Sequence, residues 1–324
     1  MRARIAGTGC YAPAKVLTNA DLEGMVATSD EWIVERTGIR ERHVAVQGEA
    51  CSDLAVKASE RALAAAGVSA ADLDMILLAT CTGDYPIPAT ACLIQHRLGA
   101  TKAGACDLSA ACCGFVYALS VADAYVRTGM RHVLIIGSEV MSSITDWTDR
   151  NTCILFGDGA GAAVVSASEN DRGILSTHLR SDGGLCDLIA VPGGGSRLPP
   201  SDKVVAERMQ YIKMKGNETF KVAVRTLEDV ARETLAASGF GVADLDLYVP
   251  HQANIRILNA VASRLGLPHE KIMLNLDRYG NTSAASIPIA LDEAVRQGRI
   301  KEGSLVMLGA FGAGLTWASA LIRW

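Results

Sequence analysis

Three side chains able to do acyl-transfer chemistry stand at turns that follow apolar segments: Cys112, His251 and Asn281. Cys112 lies in Ala103-Gly-Ala-Cys-Asp-Leu-Ser-Ala-Ala-Cys-Cys-Gly-Phe-Val-Tyr-Ala-Leu, where a short apolar run ends in small residues. Phe115, Leu119, Ala122 and Val126 then recur at helical spacing up to Gly129. A thiol in the first helical turn feels the positive end of the helix dipole and nearby free N–H groups. Both favour the nucleophilic thiolate, so a covalent acyl carrier is expected here. Cys113 is the same residue type, and composition does not separate the two. His251 follows a buried run in Val249-Pro-His-Gln-Ala-Asn, where Pro250 ends the strand ladder. Asn281 sits in Tyr279-Gly-Asn-Thr-Ser-Ala-Ala-Ser, which alone reads as a turn or helix cap.

An internal repeat links these positions. ALAAAGVSAADLDMILLAT (62–80) aligns without gaps to TLAASGFGVADLDLYVPHQ (234–252). AYVRTGMRHVLIIG (124–137) matches EAVRQGRIKEGSLVMLG (293–309) with a short insertion, and FGDGAGAAVV (156–165) matches FGAGLTWASALI (311–322). Alternating helices and strands in each half predict mostly parallel sheets covered by helices. The expected fold is a layered α/β/α/β/α core of two duplicated halves, 1–170 carrying the cysteine and 171–324 carrying His and Asn. The pairing of Arg127 with Arg296 places Asn281 opposite Cys112, and the first alignment pairs Ala79 with His251. Loops at the carboxyl ends of such strands are where open α/β sheets bind ligands.

Composition narrows the class. The chain has 324 residues, 49% hydrophobic and 20% charged, enough for a large core. A net charge of −4 with no basic block excludes nucleic acid as an expected partner. No apolar run is long enough to span a bilayer, and no signal-peptide core follows the two N-terminal arginines. The nine cysteines are scattered, without Cys-x-x-Cys or Cys/His ligand spacing. They read as reduced cytosolic thiols, with no metal site. FGDGAGAA lacks the downstream acid of a dinucleotide fingerprint, so no nicotinamide cofactor is expected.

AACCGF around Cys112, VPHQAN around His251 and YGNTSAAS around Asn281 resemble the β-ketoacyl-acyl-carrier-protein synthase III family of the thiolase superfamily. The resemblance runs from TSDEWIVERTGIRER (28–42) through FGDGAGAAVV to FGAGLTWAS. It implies a thiolase-like five-layered fold and a cytoplasmic homodimer. It also implies the initiating condensation of type II fatty acid synthesis, with no cofactor and coenzyme A as part of a substrate. Acetyl-CoA acylates Cys112; malonyl-acyl-carrier-protein then loses CO2, and its enolate attacks the acyl group. His251 and Asn281 donate to the malonyl thioester oxygen. The oxyanion of the acyl thioester meets the backbone N–H of Cys112 and of Ala313 or Gly314.

The resemblance further assigns Trp32 and Arg150 to an adenine sandwich, with Thr28 and Arg36 near the nucleotide. Gly216, Asn217 and Asn254 follow along the pantetheine arm, and Lys221 and Arg256 form a basic mouth for the acidic carrier protein. Ile87, Phe156 and Phe311 are expected at the acyl pocket. Ile87 stands where the family often has Phe, contributed by the partner subunit, which predicts tolerance of short or branched primers. Other readings remain: a secondary-metabolite condensing enzyme or acyltransferase of the same superfamily, a papain-like hydrolase, or a non-catalytic subunit. The internal repeat disfavours the hydrolase, and retention of Cys, His and Asn disfavours the non-catalytic subunit.

Overall fold

In a computed structural model, which describes residues 2–168 and 170–324, the chain alternates strands and helices in two runs. The first holds β1 (Arg2–Tyr11), α1 (Asp30–Thr37), α2 (Cys51–Ala66), β2 (Met75–Ala79), α3 (Thr90–Leu98), β3 (Gly104–Leu108), α4 (Gly114–Arg127), β4 (His132–Glu139) and β5 (Gly159–Ser168). The second holds β6 (Gly173–Ser181), α5 (Gly216–Ala237), β7 (Leu247–Pro250), α6 (Ile255–Leu265), α7 (Ser286–Arg296), β8 (Leu305–Gly312) and β9 (Thr316–Arg323). Shorter elements are given by their residues.

The strand order of the first sheet is β1-β5-β4-β2-β3, and that of the second is β6-β9-β8-β7. Pairing directions also agree. β2 runs parallel to β4 as β7 does to β8, and β4/β5 and β8/β9 are both antiparallel. A parallel bridge from Tyr248 to Ile272 stands where β3 stands in the first sheet. One duplicated plan therefore builds both sheets.

Side-chain periodicity sets the layers. Phe115, Leu119, Ala122 and Val126 of α4 are fully buried together with Ile287, Ala290, Leu291 and Ala294 of α7, between strands of both sheets. Burial of side chains of this size contributes about 1.5–3 kcal/mol for each large one. The outer face of the first sheet packs on α2 and α3, and that of the second on α5 and α6. The result is the expected order α/β/α/β/α. Gly161 of β5 lets α7 lie close, since a Cβ there would stand 2.6 Å from the Pro288 Cβ. The glycines of FGDGAG thus serve close packing.

Two registers differ from the sequence alignment. The parallel pairs Met75↔Val133 and Leu247↔Val306 make β4 and β8 equivalent from His132/Leu305 to Glu139/Gly312. Phe311 therefore matches Ser138, not Phe156. Residues 140–158, absent from the second half, separate β4 from β5 and displaced the alignment. Likewise the turns Ala111–Cys113 and Ser283–Ala285 are equivalent, each leading directly into its central helix. Cys112 thus matches Ala284 rather than Asn281. The pairing through Arg127 and Arg296 failed because α4 has 14 residues and α7 has 11.

Residues 16–43 form a small lobe against the first half. Arg42 is completely buried and ties it down, donating to Leu17 O (3.2 Å), Asn19 Oδ1 (2.9 Å) and Ile154 O (2.8 Å). Asp158 anchors the 140–158 segment by accepting from Ala45 N, Ser142 N and Ser142 Oγ at 2.6–2.8 Å.

Candidate active site

β3 delivers the chain to a 3-10 turn, Ala111–Cys113, that precedes α4. Ala111 takes φ 45°, a left-handed conformation uncommon for a residue with a Cβ. The two adjacent cysteines then part. Cys113 is fully buried in the central core and its Sγ donates to Thr316 O at 3.3 Å. Burial pushes its thiol well above the usual range. Cys112 remains partly accessible. Burial of that thiol pushes it up to about 11, opposed by the Ser283 hydroxyl and by the residue's own N–H, and reinforced by the Glu139 carboxylate. Burial thus opposes the thiolate that the helix dipole favours.

Gly312, at the end of β8, lies against Cys112. A Cβ there would stand 2.9 Å from both the Cβ and the N of Cys112. The turn that follows folds back as Thr316 Oγ1 donates to Ala110 O (3.3 Å) and Ala313 O (3.2 Å). Ala313 and Gly314 thus lie on the hairpin facing Cys112, although the residue in contact with it is Gly312.

His251 follows β7 and is fixed by its N–H to Gly309 O at 2.8 Å. Gly309 is three residues before Gly312 on β8, a rise of about 10 Å, which joins the histidine loop to the nucleophile turn. The imidazole is 4% exposed. Its Nδ1 is buried without a partner, and burial lowers its pKa to about 4. It is neutral near pH 7, and a bare lone pair at Nδ1 costs less to bury than an N–H, which leaves the proton on Nε2.

Asn281 is held by backbone on both sides: its N–H donates to Leu155 O (2.8 Å) and its C=O accepts from Gly157 N (3.1 Å). Its Oδ1 accepts from Ser283 N at 2.9 Å. An N–H can only face an oxygen, so the amide orientation is fixed and Nδ2 is left as a donor. The Ser283–Ala285 turn packs on the Ala111–Cys113 turn, which brings the Asn281 segment to Cys112. Sequence reasoning missed Ser283 and Glu139; neither carries a local signal beyond a turn residue and a strand end.

The remaining assignments fare differently. Arg150 lies over the Trp32 ring at 4.5 Å and its Nη1 donates to Ala27 O. Arg36 is 5.0 Å from the same ring. An adenine between Trp32 and Arg150 needs about 7 Å, two ordinary contact distances, so Arg150 must swing away to admit one. Thr28 Oγ1 is buried and has no partner in the protein. Asn254 is already engaged: Oδ1 caps α6 through Arg256 N, and Nδ2 donates to Arg36 O. Gly216 and Asn217 are exposed at the start of α5. Lys221 and Arg256 are exposed on neighbouring helices, with Arg256 5.8 Å from the Phe220 ring.

The acyl-pocket residues do not meet within one chain. Phe156 belongs to the cluster around Leu22, Ile33 and Met141 and forms a bridge with Asn281. Phe311 points to the outer α5/α6 layer because its neighbour Ala310 takes the inward position of β8. Ile87 is 87% exposed. Clefts lined by Arg4, Arg172 and Arg296, and by Arg180, Arg225 and Glu233, lie outside the site. Among the described residues no helix is long and apolar enough to cross a membrane.

Family comparison agrees with this geometry. Residues 106–183 match the 3-oxoacyl-[acyl-carrier-protein (ACP)] synthase III description and residues 235–324 its C-terminal counterpart. The chain is 53% identical over 323 residues to a β-ketoacyl-[acyl-carrier-protein] synthase III of Caldanaerobacter subterraneus subsp. tengcongensis, covering 99% of this chain and 98% of that one. It is 55% identical over 322 residues to the synthase III of Xanthomonas oryzae pv. oryzae, with the same coverage. The crystal structure of 3-oxoacyl-[acyl-carrier-protein] synthase III from Aquifex aeolicus superposes with a TM-score of 0.93 at 48% identity, covering 99% of this chain and 100% of that chain. The chain therefore belongs to the β-ketoacyl-acyl-carrier-protein synthase III family, acyl-transferring condensing enzymes of the thiolase fold.

Proposed function

We propose that this protein runs the initiating condensation of type II fatty acid synthesis, with Cys112 as acyl carrier. Acetyl-CoA transfers its acetyl group to Cys112 and CoA leaves. Malonyl-acyl-carrier-protein then loses CO2, and the resulting enolate attacks the Cys112 thioester to give acetoacetyl-acyl-carrier-protein. The observation that carries this reading is the Asn281 amide, whose Oδ1 is taken by Ser283 N so that Nδ2 is offered as a donor. His251 is a buried imidazole whose pKa burial lowers to about 4, so it is uncharged at neutral pH. Two uncharged donors suit an enolate, since they stabilise developing negative charge without first pairing with it.

The Cys112 N–H, with an N–H from Ala313 or Gly314, serves the second oxyanion. Trp32, Arg150, Arg36 and the free Thr28 hydroxyl bind the nucleotide end of CoA. Gly216 and Asn217 border the arm, and Asn254 contributes by holding α6 to α1. Exposed Lys221 and Arg256 meet the acidic carrier protein. Exposed Tyr85 and Ile87 are covered by a second copy, whose Ile87 closes the acyl pocket. The halves divide at 170/171, and the enzyme works in the cytoplasm without a cofactor. Mass spectrometry after acetyl-CoA, followed by a malonyl-acyl-carrier-protein chase, tests the reading. Acetyl on Cys112 that disappears as acetoacetyl-carrier-protein forms is expected; label on Cys113, or label the chase cannot remove, overturns it.

A further inference from the structure

Gln252, the residue after His251, is 1% exposed and turns both ends of its amide onto backbone. Its Nε2 donates to Pro250 O (2.8 Å) and Met273 O (3.0 Å), and its Oε1 accepts from Asn275 N (3.0 Å). Two carbonyls at one end and an N–H at the other fix the orientation of the amide. Asn275, equally buried, carries the connection onward, since its Nδ2 donates to Glu293 Oε2 at 3.0 Å. Glu293 lies on α7 and accepts three further bonds. Arg278 donates through Nη1 to Oε1 (3.0 Å) and through Nη2 to Oε2 (2.9 Å), and Tyr279 Oη donates to Oε1 (2.8 Å). Tyr279 stands two residues before Asn281, and its ring stacks on that of His43 with centroids 5.3 Å apart. An unbroken series of hydrogen bonds through side chains therefore runs from the His251 loop to the Asn281 loop.

The duplication shows what this series adds. Residues 62–80 and 234–252, strands β2 and β7, and the turns Ala111–Cys113 and Ser283–Ala285 all correspond at one constant offset. On that count Val121 occupies the place of Glu293. Val121 packs against the apolar central core, so the first half has no carboxylate at this point of its central helix. The acid and its donors belong to the half that carries His251 and Asn281. Backbone bonds tie the two loops to different partners, His251 N–H to Gly309 O and Asn281 N–H to Leu155 O. The side-chain series joins one loop to the other. Two donors that serve one oxygen need such a link, because a misplacement of about 1 Å costs about a hundredfold in rate.

We propose that Gln252 and Glu293 are positioning residues that set the separation of the His251 and Asn281 donors, so that both reach the thioester oxygen of the malonyl substrate. This rests on the condensing reaction proposed above. Neither residue touches substrate: Gln252 acts through the histidine beside it, and Glu293 through Tyr279 and the asparagine that follows. Decarboxylation and the condensation it drives depend on the pair of donors, whereas acylation of Cys112 does not.

The test measures CO2 release from malonyl-carrier-protein and, separately, Cys112 acetylation from acetyl-CoA, on wild type, Gln252→Glu, Glu293→Gln and Tyr279→Phe. Gln252→Glu keeps the shape but turns an oxygen toward two carbonyls, and Glu293→Gln turns an NH2 toward groups that already donate. Tyr279→Phe removes one hydrogen bond and leaves the Arg278 pair in place, so it gives a reading even if the other two fail to fold. Decarboxylation falls roughly ten- to a hundredfold in the first two and several-fold in Tyr279→Phe, while acetylation stays within about threefold of wild type. In an Asn281→Ala background, Glu293→Gln and Tyr279→Phe lose most of their effect, because the donor they hold is gone; general damage to the fold would give the same fold-loss in both backgrounds. Asp292→Asn is the control on the same helix. Asp292 is 1% exposed and accepts from Thr8 Oγ1 (2.8 Å) and Arg296 Nε (2.9 Å), so this change lowers the melting temperature yet leaves decarboxylation at the wild-type rate. Wild-type decarboxylation in Gln252→Glu or Glu293→Gln overturns the positioning role, as do equal losses in acetylation, in Asp292→Asn, or beside Asn281→Ala. Full decarboxylation by Asn281→Ala itself overturns the functional reading, and the positioning role falls with it.

Discussion

Ala111 and Ser283 hold the same left-handed backbone, with φ of 45° and 50°, at the two equivalent turns into the central helices. Each is a strained position, costing of order 1–3 kcal/mol for a residue with a Cβ. The strain aims the next residue, Cys112 or Ala284, toward the axis between the halves. There the turns pack on each other, with the position of a Gly114 Cβ 3.6 Å from Ala284 Cβ. Only one of the two turns carries a nucleophile. The other holds Asn281 two residues earlier and spends its freedom on binding that side chain.

Gly312 is expected to tolerate no side chain. A Cβ there meets Cys112 at 2.9 Å on backbone as well as side chain, so the nucleophile itself must shift. Gly312→Ala should destabilise the fold by about 1–3 kcal/mol, the usual cost of overpacking, and slow Cys112 acetylation by at least about a hundredfold, because small misplacements of reacting atoms cost that much. Acetylation rate and thermal midpoint measured together check it. Wild-type acetylation in the variant would remove Gly312 from the site.

Asn281 and Cys112 should separate the two half-reactions. Asn281→Ala removes a donor to the enolate, a loss of about 10²–10³ in rate, and should hit malonyl-carrier-protein decarboxylation and condensation while leaving acetylation within a few-fold. Cys112→Ser should abolish acetylation yet retain decarboxylation. Release of labelled CO2 and intact-protein mass give both readouts. Equal losses in both half-reactions for Asn281→Ala would contradict the division of roles.

How much of this site the sequence disclosed depends on how local each signal is. Cys112 and His251 were singled out because each follows an apolar run at a turn, whereas Asn281 stood out only through the repeat and the YGNTSAAS motif of the family resemblance. The duplication was legible from helix ends and strand entries, which recur with constant spacing. Its register near the site was not. The three-residue difference between α4 and α7 and the 140–158 insertion shift the alignment where it matters most. The influence of burial on Cys112, which raises its pKa, was not legible because depth of burial is a property of packing. Gly312 carried no local signal, because only tertiary structure brings it against Cys112 across two hundred residues.

His251 carries a pH signature of its own. Its pKa falls from the usual value near 6.5 to about 4 on burial. Between those values the unfolded chain binds the proton and the folded one does not, so stability rises with pH across this window and is lost on acidification. The contribution at neutral pH is at most about 3 kcal/mol. In the folded enzyme the imidazole should stay neutral down to pH 5, seen by NMR as the absence of a titration step near 6.5. A step there would mean that the ring is far more hydrated than its burial indicates.

Arg150 lies 4.5 Å over the Trp32 ring, so an adenine placed between them, as proposed above, must part them. Trp32→Ala should raise the KM for acetyl-CoA about tenfold, the loss of roughly 1–2 kcal/mol of stacking. Acetylation at saturating acetyl-CoA should change little, since the adenine end is remote from the thioester. Arg150→Ala should raise KM less, because releasing Arg150 from the Trp32 ring and from Ala27 O offsets part of what its contact with adenine returns. Equal increases in the two variants would show that the pair opens at no cost.

On the proposed function, Ile87 is expected to limit the size of the primer. It is 87% exposed on its own chain and outside the cluster that holds Phe156, so on the proposed reading it reaches a pocket only from a second copy. Isoleucine is shorter than phenylalanine and leaves room for additional methylene groups, each worth about 0.8 kcal/mol when buried. Comparable kcat/KM values are therefore expected for acetyl-, butyryl- and isobutyryl-CoA. Ile87→Phe should fill the space and lower the value for the two larger primers by about tenfold or more, while sparing acetyl-CoA. Strict acetyl preference in the wild type would mean that neighbouring side chains have refilled the pocket. An effect of Ile87→Phe confined to the stability of the dimer would place the residue at the interface without a part in selecting the primer.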